Sequence, residues 1–244
     1  MQFLRYPKVQ LSILLFLIYL SALKVYPNIT TIYLMIASIT FCITSDLIFT
    51  YLRKRVLFIP FAAITTGLII TLTTDVNASW FELAAICVFA MASKNFIRIS
   101  GRHIFNPAAF GLFFGGVVFA IPVSWWAPIS NFQILLPFLI LISPALISAY
   151  RMRRFVSILT FLISYALLSQ SVVGFLDPTA LFFSLVMLPE PMTSPFNFKR
   201  QAMYGVIVAI LSFLLSTNSS IAILLPDVLI PALLLGNLIF FKFK

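Results

Sequence analysis

Residues Lys94–Gly111 read KNFIRISGRHIFNPAAFG, and the rest of the chain is organised around them. This stretch places three cations and the single histidine, His103, between two strongly apolar segments. At Asn106-Pro107 it enters the next apolar segment with an amide and a proline, the residue types preferred at a helix start. A second polar stretch, Leu188–Gly205, reads LPEPMTSPFNFKRQAMYG. Because polar chemistry is densest in these two stretches, we expect any function to reside there.

The composition is that of a polytopic membrane protein. Hydrophobic residues make up 62% of the chain and charged residues 9%, far from the values of a soluble domain. Apolar stretches of about 17 to 22 residues recur along the chain, the length that crosses about 30 Å of hydrocarbon. The net charge of +10 lies in short cationic runs between apolar segments. We therefore expect one membrane domain, residues 1–244, surrounded by the lipid bilayer, and no nucleic-acid partner.

The distribution of cations predicts the topology. If the N-terminus is cytoplasmic and about ten spans alternate, fifteen of the sixteen lysines and arginines fall on the inner side and only Lys24 on the outer side. We therefore predict a multi-pass protein of the cell membrane whose N-terminus and C-terminus are both cytoplasmic. The predicted spans are 8–24, 30–51, 56–74, 79–97, 104–121, 131–149, 154–170, 176–189, 202–217 and 221–240.

Two of these spans predict an internal repeat. The third is rich in threonine, and the eighth is stopped by Pro189 and Pro191 after about twelve residues, which rise only about 18 Å as a helix. The eighth span should therefore end inside the bilayer. Spans three and eight are five apart and run in opposite directions, as in an inverted five-helix repeat with paired broken helices. We predict an all-α fold with half-repeats 1–125 and 126–244.

The Asn106 helix start is the first candidate site. The free amides of a helix N-terminus favour an anion, and Lys94, Arg102 and His103 would strengthen that field. The alternative is a capped helix flanked by ordinary inner-side cations. His103 has a side chain suited to proton transfer near neutral pH, or it is structural.

The second candidate site is Glu190–Pro195. Prolines fix an extended backbone there, Thr193 and Ser194 supply hydroxyls, and Glu190 is an ionisable group near membrane depth. The alternative is a re-entrant turn stabilised by its own side chains. In the second span, Asp46 either pairs with a cation one or two turns away or lines a proton or cation path.

Motifs of soluble enzymes are absent from the sequence, which contains no GxGxxG, P-loop, HExxH or CxxC. With one histidine, ligation of haem or zinc by several histidines of this chain is excluded, and we assign no metal ligands. Cys42 and Cys87 lie in apolar spans, where cysteine is usually a small packing residue; an intramembrane redox pair is the remote alternative.

The order and spacing of several motifs resemble the NqrB/RnfD family over most of the chain. Asn-Pro-Ala and Pro-x-Thr-Ser-Pro in this order are fairly specific together and weak singly. The matching stretches are Ser45-Asp46-Leu47, Thr66–Leu72, Ser93–Gly101, Asn106–Gly111, and Glu190–Pro195 followed by Tyr204-Gly205.

The resemblance implies a membrane subunit of an ion-translocating NADH:quinone or ferredoxin:NAD oxidoreductase. It implies ten helices in an inverted repeat similar to urea and ammonium transporters, and a flavin (FMN or riboflavin) that passes electrons between other membrane and reductase subunits while Na⁺ or H⁺ crosses. On this hypothesis Glu190 and Asp46 couple electron transfer to the movement of protons or cations. The flavin-holding residues would be Lys94, Arg102, His103, Asn106, Thr193 and Ser194.

The sequence departs from the family at the covalent attachment site. The family attaches FMN through the threonine of a Ser-Gly-Ala-Thr motif, whereas here Ser100-Gly101 is followed by Arg102-His103. Thr179 is the weak remaining candidate, preceded by proline rather than Gly-Ala. We therefore expect a non-covalent flavin.

Three functions compete at this point. The first is the flavin-binding electron-transfer subunit. The second is a small-solute or ion channel that kept the inverted repeat without redox chemistry. The third is a structural or assembly subunit with no site of its own.

Overall fold

The computed structural model describes residues 7–54, 60–132, 146, 149–150, 152–170 and 177–243. Within these ranges the chain is almost entirely helical, and a two-stranded ribbon joins α4 to α5. The elements are α1 (Pro7–Val25), α2 (Ile29–Lys54), α3 (Phe61–Thr73), α4 (Trp80–Phe96), β1 (Arg98–Ile99), β2 (Arg102–His103), α5 (Pro107–Phe119), α6 (Trp126–Phe132), α7 (Phe155–Leu168), α8 (Pro178–Phe182, continuing as a π-helix over Phe183–Met187), α9 (Phe198–Thr217), α10 (Ser219–Leu224), α11 (Leu229–Phe240) and a 3₁₀ turn (Phe241–Phe243).

The helices have the length and composition of a membrane protein, which confirms the predicted all-α class. Three are long and apolar enough to cross a membrane: Lys8–Val25, Ile29–Lys54 and Phe198–Thr217. Shorter apolar helices are α3, α5, α7, α8 and α11. The predicted sixth span, 131–149, lies almost wholly outside the described residues, and the count of ten spans stays a prediction.

The two helices predicted to be unusual, α3 and α8, are short and buried on nearly all sides. In α3 every residue from Thr65 to Thr73 is buried, and in α8 every residue from Ala180 to Met187 is buried. A helix that is apolar around its whole circumference belongs in an interior. These two helices therefore form the centre of the protein, and the longer helices surround them.

The C-terminal end of α3 depends on the segment that follows α5. Trp126 donates its indole N–H to the Thr71 carbonyl at 2.7 Å, and the Ser124 amide donates to the Thr73 carbonyl at 2.9 Å. The Ser124 hydroxyl donates to the Thr74 carbonyl at 3.1 Å. A helix leaves its last carbonyls without partners inside the helix, so these donors allow α3 to end within the protein.

The described helices pack in two groups. In the first, α2 packs against α3 and α4, and α4 packs against α5. In the second, α7 packs against α9, and α9 packs against α11. The groups meet where α5 contacts α11 and where α6 contacts α8, and α1 lies against α3 and α6.

Two glycines allow the closest helix contacts. A Cβ atom on Gly205 of α9 would meet the Ser157 carbonyl and the Thr160 hydroxyl of α7. A Cβ atom on Gly111 of α5 would meet the Ile86 carbonyl of α4. Small residues at helix contacts are typical of membrane proteins, because they allow backbones to approach closely.

The predicted last span, 221–240, is wrong as one continuous helix. It is two helices, α10 and α11, separated at Pro226-Asp227. Proline cannot continue a helix, and the Asp227 carboxylate accepts from the amides of Leu229 and Ile230 at 2.7 and 3.0 Å, which starts α11 anew.

We expect Gly205→Ala to lower the free energy of unfolding by about 1–3 kcal/mol, since the added methyl forces α7 and α9 apart. The measurement is thermal unfolding in mild detergent, followed by tryptophan fluorescence. Leu214→Ala on the exposed face of α9 is the control and should stay within about 0.5 kcal/mol of wild type. Equal losses for the two variants would contradict the close α7–α9 contact.

Candidate functional site

A cavity of about 640 Å³ lies where the two polar stretches of the sequence meet. Its walls come from α1, α3, α4, β2, the start of α5, the chain before α7, α8 and the loop after α8. Its walls carry the charged, imidazole or amide side chains of Lys8, Lys94, His103, Asn106, Arg154 and Glu190, and also the hydroxyl-bearing side chains of Thr65 and Thr66. Four of the first six belong to the two polar stretches.

Most of the remaining lining is apolar. Leu11 from α1, Phe61 and Ile69 from α3, and Leu185 and Val186 from α8 form it, together with methionine, proline and phenylalanine side chains near the loop after α8. An apolar cavity with a few convergent polar groups is the usual form of a small-molecule site. This one suits a ligand with a flat apolar body and a polar or charged end.

The β1–β2 ribbon sets the position of His103. Its two-residue turn, Ser100-Gly101, has φ angles of +50° and +81°, the left-handed pair of a type I′ hairpin turn. Side chains alternate along a strand, so Arg102 is exposed while the next residue, His103, is buried. His103 lines the cavity and Arg102 does not, and the contact of Arg102 with a flavin stays a prediction.

Arg98 holds this ribbon against α4. Its guanidinium donates to the Lys94 carbonyl at 3.0 Å and to the Gly101 carbonyl. Partial burial and the nearby charge of Arg53 lower the pKa of Arg98, but a guanidinium stays protonated at neutral pH. The inner end of α4 and the ribbon therefore form one connected unit.

His103 and Glu190 join the two polar stretches directly. The His103 Nε2 atom lies 3.1 Å from the Glu190 Oε1 atom. The Thr193 hydroxyl donates to Glu190 Oε2 at 3.3 Å, and the Ser194 hydroxyl donates to the Glu190 carbonyl at 2.8 Å. Thr193 and Ser194 are buried behind Glu190, so they position this carboxylate rather than contact the cavity.

Asn106 links three elements at the end of α8. Its side-chain oxygen accepts from the Ala109 amide at 3.2 Å, which confirms the predicted helix cap. Its side-chain nitrogen donates to the Met187 carbonyl at 3.1 Å, and its backbone amide donates to Asn237 Oδ1 at 2.9 Å. Asn237 in turn donates to the Tyr204 hydroxyl at 2.6 Å. The amide of Asn106 is therefore both a cap and a contact between the two groups of helices.

Asp46 pairs with a cation, but its partner lies on a different helix. The Lys94 Nζ atom of α4 is 2.5 Å from Asp46 Oδ2, and the Asn95 amide donates to Asp46 Oδ1 at 2.9 Å. The expectation of a cation one or two turns along α2 was wrong, because α2 and α4 pack side by side. Asp46 is fully buried and reaches the cavity only through Lys94, which lines it.

Arg154, which no sequence pattern singled out beyond its inner-side charge, has a central place. It is 5% exposed, lines the cavity, and lies 5.3 Å from the Phe196 ring centroid. Its guanidinium donates to the Pro195 carbonyl and, at 3.3 Å, to the Pro191 carbonyl. Arg154 therefore fixes the loop that carries Glu190.

Thr179 lies away from the groups around Glu190. Thr179 is in the first turn of α8, where its amide donates to the Asp177 carboxylate at 3.3 Å, at the opposite end of this helix from Glu190. Cys42 and Cys87 are both buried and free, as packing residues would be.

Comparison with models of known protein families gives no match for this sequence, and comparison with curated proteins gives none either. The function must therefore be argued from the residues and their geometry.

We expect Asp46→Asn to lower the free energy of unfolding by about 3–5 kcal/mol, because it removes the buried carboxylate that faces the Lys94 ammonium. In a double-mutant cycle, Asp46→Asn with Lys94→Met should cost less than the two single losses combined. The midpoints of unfolding of the protein in mild detergent measure both the single losses and the coupling between them. Asp75→Asn, in the turn after α3, is the matched control and should stay within about 0.5 kcal/mol. Strict additivity would show that the pair is uncoupled.

Proposed function

We propose that this protein is the membrane subunit of an RnfD/NqrB-like redox complex, and that it passes electrons through a flavin bound non-covalently in the 640 Å³ cavity while Na⁺ or H⁺ is translocated. The observation that carries the proposal is the direct contact of the two polar stretches, His103 to Glu190, on the wall of one cavity. These stretches also carry the resemblance to that family.

The residues present fit a flavin. Its ring has two apolar faces and one edge of hydrogen-bonding groups, and the cavity has largely apolar walls that also carry Lys94, His103 and Asn106. Its volume lies within the range of about 300–1,000 Å³ found for small-molecule and cofactor sites. Lys94 and His103 would orient the polar edge, while Leu185 and Phe61 would cover the ring faces and exclude water. When bound, the flavin would supply the electron-carrying chemistry.

The proposal assigns non-covalent binding. Thr179 would be the attachment residue of a covalent flavin, but it lies at the other end of α8 from the cavity wall formed by Glu190. Its backbone amide is engaged by Asp177 at the helix start. The absence of a Ser-Gly-Ala-Thr motif and the position of Thr179 both support non-covalent binding.

Coupling is assigned to the two carboxylates that pair with groups on the cavity wall. Asp46 faces Lys94, and Glu190 faces His103. Ionisable groups at membrane depth are expensive and usually functional. A change of charge on a ligand in the cavity would act on Lys94 and His103 first, and through them on the protons or cations held by the carboxylates.

The proposed architecture is ten spans in an inverted repeat, with both termini in the cytoplasm of the cell. The packing of α7 on α9 and of α9 on α11 corresponds to that of α2 on α4 and of α4 on α5. In the proposed repeat, the short buried helices α3 and α8 are the paired broken helices. Other membrane subunits and a reductase subunit are the proposed partners.

The competing proposal is a small-solute or ion channel of the same fold. The observation that favours it is the pair of ionisable contacts on a cavity wall, which suit an ion path as well as a redox site. It predicts flux through proteoliposomes without an electron donor.

For the redox proposal, we expect protein purified in mild detergent from flavin-replete cells to be yellow. Acid precipitation should release the colour, and the denatured protein should show no flavin fluorescence in a gel. Fluorescence that survives in the gel would mean covalent attachment, with Thr179 the first residue to replace. A colourless protein that supports solute flux would favour the channel.

Glu190→Gln and Asn106→Leu distinguish a functional site from an assembly role. Loss of the Asn106 cap alone should cost about 1 kcal/mol of stability. We expect Glu190→Gln to assemble normally and to lose most flavin binding, measured by the ratio of flavin to protein absorbance. Asn106→Leu also removes the donor to the Met187 carbonyl, so we expect it to lose flavin together with a lower unfolding midpoint. Normal flavin content in both variants would place the ligand elsewhere.

We expect single cysteines introduced at Lys24 and Arg102 to react from opposite sides of the membrane. Reaction of a membrane-impermeant maleimide with intact cells should label the first and not the second, in a background without Cys42 and Cys87. Labelling of both positions from outside would contradict the proposed topology.

A further inference from the structure

Two arginines lie close together at the ends of α2 and α4, on the side opposite the cavity wall formed by Lys94. Arg53, in the last turn of α2, places its guanidinium 3.5 Å from Asn95 Oδ1 of α4. Arg98, in the ribbon after α4, donates to the carbonyl of the preceding residue, Lys94, at 3.0 Å. Two like charges are therefore held at consecutive residues of one helix.

Neither arginine has a carboxylate partner in the described part of the chain. Of the six acidic residues in the sequence, Asp46 and Glu190 face Lys94 and His103. The other four accept from backbone amides at turns or helix starts: Asp75, Glu82, Asp177 and Asp227. No Asp or Glu oxygen among the described residues lies within 4 Å of either guanidinium, and the stretches outside them contain no Asp or Glu. The two arginines therefore favour an anion from outside the chain.

Helix-end electrostatics offset only part of this charge. The C-terminal ends of α2 and α4 lie side by side, and each is equivalent to about half a negative charge. Together they offset about one positive charge, whereas Arg53, Lys54 and Arg98 carry three. An excess of about two positive charges remains, which suits a phosphate group.

An exposed apolar surface begins one helical turn from these charges, toward the middle of α2. Phe49 and Arg53 are four residues apart and share a face of α2. The Phe49 ring contacts the Phe96 ring of α4, with centroids 5.2 Å apart. Phe96, Ile48 and Leu52 are each more than half exposed. Since α2 is long and apolar enough to cross a membrane, this surface would lie against lipid chains.

We propose that Arg53 and Arg98 bind the phosphate of an anionic phospholipid, whose acyl chains lie along the exposed apolar surface beside Phe96. A guanidinium donates to phosphate through two parallel, charge-assisted hydrogen bonds. Basic groups between spanning helices on the cytoplasmic side of a membrane are a recurrent site for such headgroups. The inference is independent of the redox proposal, because neither arginine lines the cavity.

The test is the affinity of the protein, purified in mild detergent, for two lipids with identical acyl chains, measured by native mass spectrometry. Phosphatidylglycerol is anionic, whereas phosphatidylcholine adds a cation to the headgroup. We expect wild type to bind phosphatidylglycerol at least about tenfold more tightly, because each arginine near an anionic headgroup contributes about fivefold. Equal affinity for the two lipids would overturn the inference.

Arg53→Gln should weaken binding of phosphatidylglycerol about fivefold and leave binding of phosphatidylcholine unchanged. This variant keeps the hydrogen bonds of Arg98 to the Lys94 and Gly101 carbonyls, so the ribbon should form as in wild type. Arg153→Gln is the matched control, since it removes the same charge from an exposed position before α7. An equal loss in the control would mean that only the total charge matters, and would refute a site at α2 and α4.

Inorganic phosphate separates a lipid site from a site for a soluble anion. At the same concentration as the lipid it should not displace phosphatidylglycerol, because it has no acyl chains to cover the apolar surface. Displacement at equal concentration would assign the arginines to a soluble anion and overturn the inference. Loss of a bound acidic protein in Arg53→Gln, with lipid affinity unchanged, would assign them to a protein partner and overturn it as well.

Discussion

The structure depends on how the backbone after α8 is satisfied inside an apolar interior. This helix ends at Met187, and the prolines at 189, 191 and 195 have no amide hydrogen to donate. The Glu190 carbonyl accepts from amides within the loop, but other carbonyls there need donors from other parts of the chain. The donors come from elsewhere: Asn106 at the start of α5, Arg154 before α7, and Gln201 of α9, which donates to the Phe196 carbonyl at 2.8 Å. Unsatisfied carbonyls in lipid or apolar protein are costly, so these polar side chains are collected at this point.

The same requirement brings polar groups to the cavity. Asn106 and Arg154 reach the end of α8 and the loop after it from different parts of the chain, and both line the cavity. Glu190 lies in the loop and is held by Thr193 and by His103 on the ribbon. A structural solution for one interrupted helix therefore places ionisable groups from both polar stretches around a space large enough for a ligand.

Much of the fold was predictable, and the limits are physical. Hydropathy and proline positions predicted α3 and α8 as unusual elements, and Asn106-Pro107 predicted a capped helix start, because those signals are local. The break at Pro226-Asp227 also has a local signal, the proline, but the apolar residues on both sides of it led to the prediction of one span. The partner of Asp46 could not be read from the sequence, since α2 and α4 meet through packing of residues 48 positions apart. The place of Arg154 could not be read from the sequence either, since its guanidinium donates to carbonyls 37 and 41 residues further along the chain.

The brevity of α3 and α8 has a consequence for biosynthesis. Helices of 13 and 10 residues are too short to cross about 30 Å of hydrocarbon alone, so a translocon that sorts segments by length and hydrophobicity has little reason to release them into lipid singly. Each becomes stable at depth only beside its neighbours. For α3 these include α1 and α2, and for α8 they are α6 and α7, all of which are synthesised earlier. Each short helix can therefore enter the membrane against partners that are already present.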